Sequence, residues 1–157
     1  MPAATAPTVE LWMRTLPAGE GEEHDELRQR LLDLDRRGVV ETVRIRTWPH
    51  EVAVDGPMSQ RDRLIAERVR AFRRWAAREG VALPDFAERA TAGVGRMGPA
   101  YTALRLPQTA LAVSREGRLV WVTPCVEGGR ERTPREWVDA AANGTAPGCQ
   151  SGPRLVV

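Results

Sequence analysis

Two cysteines, two histidines and 23 arginines are the side chains of this 157-residue chain on which chemistry would first be sought. Cys125 and Cys149 stand far apart, with no CxxC pair, and His24 and His50 match no familiar zinc spacing beside them. No metal centre is expected. Cys125, after Pro124, is the candidate reactive thiol. A reactive thiol needs an electropositive setting or a helix N-terminus to lower its pKa. A buried structural cysteine is the competing account. His24 sits among Glu22, Glu23, Asp25 and Glu26, as on a solvated helix face, and His50 follows Trp48-Pro49 in a loop. No GxSxG, HExxH or P-loop pattern occurs. Gly93-Val94-Gly95 lacks the third glycine of a dinucleotide loop. The residues therefore assemble no catalytic constellation and imply no cofactor, and the chain reads as non-enzymatic.

The arginines offer more. Lysine is absent, so every basic side chain is a guanidinium, the group best suited to phosphate and carboxylate recognition. An Arg-favouring codon bias would give the same composition. The net charge is only +2, so any basic site is local. With Ile65 at 0° and about 100° per residue, Arg63, Arg70, Arg74 and Arg78 cluster opposite the apolar stripe of a long predicted helix. Glu67 interrupts them. Such a row could contact phosphates and release their counterions. An ordinary solvated face would also look this way. No aromatic residue interleaves the row, so single-strand stacking is not indicated.

The elements that must hold these residues follow from periodicity. Residues 8–16 alternate Val9, Leu11 and Met13 with Glu10, Trp12 and Arg14, as a strand does. Leu27, Leu31 and Leu34 give 22–37 a helical face, with Gly38 as its stop. Val43 and Ile45 alternate with Arg44 and Arg46 in a second strand over 39–48, and Val52 and Val54 fit a short edge strand. Residues 59–79 form the clearest element. Ser59 and Asp62 make a capping pair, Ile65, Val69, Phe72 and Ala76 form its stripe, and Gly80 and Pro84 end it. Residues 81–100 read as loop-rich, and 104–122 as a hairpin turning at 115–118. Thr133 and Pro134 open a last helix.

The predicted class is α/β, with α+β the alternative: a small mixed sheet in β-α-β-α-β-β-α order. One domain spans 8–142, and 1–7 and 143–157 are flexible termini. This order is similar to the thioredoxin-like arrangement, in which a cis proline precedes the first hairpin strand. Pro107 stands there and is the candidate cis proline. The position of that fold's thiol, after the first strand, holds Pro17-Ala18-Gly19-Glu20-Gly21 and no cysteine. A winged helix-turn-helix reading would instead use the helix ending at Gly38 and the Arg44–Arg46 strand as the start of a wing.

Several phrases resemble small haloarchaeal proteins labelled helix-turn-helix domain proteins. These phrases are Val9-Glu10-Leu11-Trp12-Met13-Arg14-Thr15-Leu16, the 31–47 stretch, the 70–80 helix end, Tyr101-Thr102-Ala103-Leu104-Arg105-Leu106-Pro107 and Leu119-Val120-Trp121-Val122-Thr123-Pro124-Cys125. The resemblance covers roughly 8–140 and implies a shared fold and a role in DNA binding or regulation, with DNA or a protein as partner. It carries over no catalytic residue. The alternative function is a divergent thioredoxin-like domain without CxxC, either a degenerate scaffold or a redox protein using Cys125. No stretch reaches the ~18 apolar residues of a membrane span and no signal peptide opens the chain, so a cytoplasmic location is expected. The oligomeric state is left open.

Overall fold

A computed structural model describes residues 6–15, 21–91 and 101–149. In chain order the elements are β1 (Thr8–Arg14), α1 (Glu22–Arg36), β2 (Thr42–Trp48), β3 (Glu51–Ala53), α2 (Gln60–Glu79) and β4 (Glu88–Thr91). They continue with β5 (Tyr101–Arg105), β6 (Thr109–Arg115), β7 (Arg118–Thr123), β8 (Cys125–Glu127), β9 (Arg130–Arg132) and α3 (Pro134–Ala142). The class is mixed α/β, as the sequence predicts.

The main sheet has the order β2-β1-β6-β7. β1 and β2 run parallel, with Glu10 opposite Arg44 and Trp12 opposite Arg46, and the helix α1 makes the crossover between them. β6 lies antiparallel to β1, with Leu11 opposite Leu111, and β7 returns antiparallel to β6. The hairpin turn is Glu116-Gly117, both at positive φ, which suits a two-residue connection. A second sheet, β3-β5-β4, is antiparallel throughout, and β8 and β9 form a third small ladder.

The alternation in β1 decides what covers each face. Val9 and Leu11 are fully buried on one side, under α1 and α3. Those two helices are tied by Arg30 to Asp139 and by Arg135 to Glu26. Glu10 and Trp12 point to the other side, where α2 lies and Arg68 reaches Glu10. Caps set the helix ends. Ser59 Oγ accepts the Asp62 N–H at 3.1 Å, Gly80 closes α2 in the left-handed region, and Thr133 Oγ1 accepts the Glu136 N–H at 3.1 Å.

An aromatic cluster joins the end of the main sheet to α2 and to the turn that leads into β4. Trp48 stacks on Trp12 at 4.9 Å and meets Phe86 edge-on at 6.0 Å, and Phe86 meets Phe72 of α2 at 5.8 Å. The Trp48 indole donates to the Pro107 carbonyl at 2.9 Å.

Four expectations change. The 104–122 stretch is not one hairpin: Leu104 and Arg105 belong to β5 in the second sheet, and the hairpin begins at Thr109. The loop-rich 81–100 stretch also holds a strand the sequence did not predict, β4. That strand is Glu88-Arg89-Ala90-Thr91, with no apolar alternation to betray it. Among the described residues the cis peptide is Thr123–Pro124, so Pro107 is not the cis proline. Position in an element order does not fix an X–Pro isomer, which depends on the tertiary surroundings. Finally, 143–149 is packed rather than loose. Ala146 is fully buried and the Trp137 indole donates to the Pro147 carbonyl at 2.9 Å. Residues 150–157 lie outside the described part.

Candidate nucleic-acid interface

The helix α2 sorts its arginines into two sets. Ile65, Ala66, Val69, Phe72, Trp75 and Ala76 are buried, which fixes the rotation of the helix on the sheet. Arg68 and Arg73 flank that buried side and are both engaged. Arg68 Nε donates to Glu10 Oε2 at 3.1 Å, its other nitrogen pairs with Oε1, and its guanidinium lies 5.3 Å from the Phe72 ring. Arg73 donates to Glu88 Oε1 and to the Phe86 carbonyl, each at 2.7 Å.

Arg63, Arg70, Arg74 and Arg78 form the other set. All four are exposed, on an arc of about 80° opposite the core. Among the described residues none of their side chains makes a hydrogen bond or an ion pair. The exposed Glu67 lies within the same arc. Four guanidiniums against one carboxylate thus stand in solvent on a rigid, capped helix. Such an array offers its charge to phosphates without first breaking internal salt bridges.

The thiols are not set up for chemistry. Cys125 is buried at 1 % exposure and its pKa is pushed up to about 11. Burial is the main cause. Glu127 and then Glu136 add to it, against the opposing Arg132. Cys149 is likewise pushed up to about 11 by burial, with Arg115 opposing. Both cysteines are free. Residues 16–20, where a thioredoxin-like fold would hold its thiol, lie outside the described residues, as does the Gly93–Gly95 pair. Among the described residues no three His, Cys, Asp or Glu side chains converge to hold a metal. No described helix is long and apolar enough to cross a membrane. His50 is exposed, and its carbonyl accepts the Leu106 N–H at 3.0 Å.

Sequence reasoning found the outward row but not the Glu10–Arg68 pair. Its only sign was a carboxylate inside the alternation of a buried strand.

A family model described as a helix-turn-helix domain matches residues 2–146. The chain belongs to that helix-turn-helix domain family. No curated protein and no solved structure matches it. Membership does not bring the two-helix unit of the family's description into view among the described residues. α1 ends at Arg36 and α2 begins at Gln60, and the 23 residues between them hold β2 and β3. A helix-turn-helix needs a connection of about 3–4 residues. The winged variant fails as well, because Arg44 and Arg46 lie in a strand paired parallel to β1 inside the main sheet.

Proposed function

We propose that this protein is a cytoplasmic, non-enzymatic regulator that binds duplex DNA through the outward arginine face of α2. The observation that carries the reading is that Arg63, Arg70, Arg74 and Arg78 have no carboxylate partner among the described residues, beside the ion-paired Arg68 and Arg73. Membership in a helix-turn-helix domain family supports DNA as the partner. Guanidiniums on one helix face contact backbone oxygens, which position a protein and carry little base information. Replacing Arg63, Arg70 and Arg74 together by glutamine tests this. The variant is expected to fold, because exposed arginines on a solvated face contribute little to stability. Its affinity for duplex DNA should fall on all sequences alike, and the salt slope should flatten by about 0.9 for each phosphate left without its guanidinium. Absence of any wild-type binding at low salt sinks the proposal. Equal slopes for the two proteins move the surface away from α2.

A second reading is a divergent thioredoxin-like scaffold that binds a protein partner. It is favoured by the strand order β2-β1-β6-β7, with β6 antiparallel to β1 and a long helix before it. The raised pKa of Cys125 supports the scaffold form over the redox form. Alkylation followed by mass spectrometry at neutral pH should be slow at Cys125 in the native protein and fast in urea. Rapid native labelling of Cys125 would restore the redox form.

A further inference from the structure

The strand β2 is the edge of the main sheet and is paired only to β1. Its four residues Arg44, Ile45, Arg46 and Thr47 are all exposed, Ile45 at 37 %, so this stretch is at most partly covered. All-parallel sheets are ordinarily buried on both faces, whereas this mixed sheet leaves its parallel edge strand open. An open parallel edge that carries two cations therefore marks a surface.

The register says where those cations stand. Arg44 is opposite Glu10 and Arg46 is opposite Trp12, so both share the sheet face on which α2 lies. Glu10 is the carboxylate that would neutralise Arg44, but it is already occupied. Its two oxygens take Arg68, and Oε2 also accepts the Trp12 indole at 3.2 Å. Among the described residues Arg44 and Arg46 have no carboxylate partner. The Arg46 guanidinium rests 5.8 Å from the Trp12 ring centre, a cation–π contact that limits its wandering. Arg61, exposed in the first turn of α2, lies two turns before Arg68 on the same helix face and adds a third free cation on this side.

We propose that Arg44 and Arg46 of β2, with Arg61, form a second row of groups that meet the nucleic-acid backbone, beside the outward face of α2. The inference rests on the DNA reading above and extends it from one helix to a two-element surface. A rod-like polyanion is the occupant that the geometry favours, because both rows are cationic and lie on one side of the sheet. A second copy of the chain fits poorly. Antiparallel pairing of two β2 edges that sets Ile45 against its copy would place Arg44 opposite Arg46 of the other chain, a like-charge pair.

The test titrates the full chain with a labelled duplex DNA at ~50 and ~200 mM salt. The proteins are wild type, the α2 triple variant and Arg44→Gln/Arg46→Gln. The β2 variant should weaken binding and flatten the salt slope by about 1.8, that is 0.9 for each of two phosphates. A matching Arg44→Lys/Arg46→Lys variant should stay close to the wild-type slope, which separates removal of charge from a disturbed strand. A β2 glutamine variant that keeps the wild-type slope, while the α2 variant loses slope, overturns this inference and leaves the α2 reading standing. Flattening in the β2 variant alone supports β2 and removes α2. Failure of wild type to bind DNA at the lower salt overturns both. So does capture of a polyglutamate probe in place of DNA through Arg44 and Arg46, which would make the partner an acidic protein segment.

Discussion

Replacing Phe72 by alanine is expected to cost the fold ~3–5 kcal/mol. Phe72 is fully buried in the middle of α2, edge-on to Phe86 and beneath the Arg68 guanidinium. Truncation removes the transfer energy of a whole ring and leaves a cavity between helix and aromatic cluster. The neighbours are poorly placed to fill it, because Val69 and Trp75 of the same helix and Phe86 across from it are themselves buried. A urea titration read by circular dichroism should show the midpoint falling with little change in slope. An unchanged midpoint would mean that the phase of α2 is wrong, and with it the assignment of Arg63, Arg70, Arg74 and Arg78 to the outside.

Trp48→Ala should cost a comparable ~3–5 kcal/mol, for a different architectural reason. Trp48 ends β2 and is fully buried, and its ring packs on Trp12 of β1 and on Phe86, two residues before β4. Its removal abolishes the stack on Trp12 and the edge packing with Phe86, and leaves the Pro107 carbonyl without its indole donor. Trp48→Phe keeps much of the ring and removes the donor, so a smaller cost of about 1 kcal/mol is expected, within the usual range for one hydrogen bond. Amide exchange should resolve the two. In Trp48→Ala, protection in β3 and β5 should drop toward the level of local opening. Protection there that stays at the wild-type level would show that the second sheet is held without Trp48.

The strongest periodicities were the ones legible in the sequence. β1, α1, β2 and α2 announced themselves through alternation or a stripe. The caps Ser59 and Thr133 were legible too, since capping is a local matter of one side chain and one N–H. β4, β8 and β9 were not. They are short, β4 and β9 are mostly exposed and charged, and all three exist because a partner strand supplies their hydrogen bonds. The outward arginines could be placed by angle alone, given the phase of α2. Their freedom from carboxylates could not, because it depends on Glu10 and Glu88 being spent on Arg68 and Arg73 across 58 and 15 residues of sequence. The cationic side of β2 was hidden for the same reason: its alternation was plain, but nothing local told which of its faces would be left open.

The packed stretch 143–149 can be followed one atom at a time. Gly148, at φ 83°, fits where a Cβ would come within 2.8 Å of Val120 Cγ2 and 2.9 Å of Val113 Cγ1. One residue earlier, the Pro147 carbonyl holds the Trp137 indole proton. That proton gives the segment a private signal in a nitrogen-edited NMR spectrum, far from the crowded backbone region. Its shift and its exchange with solvent report whether the strap is seated on β6 and β7, independently of any change at the arginine surface.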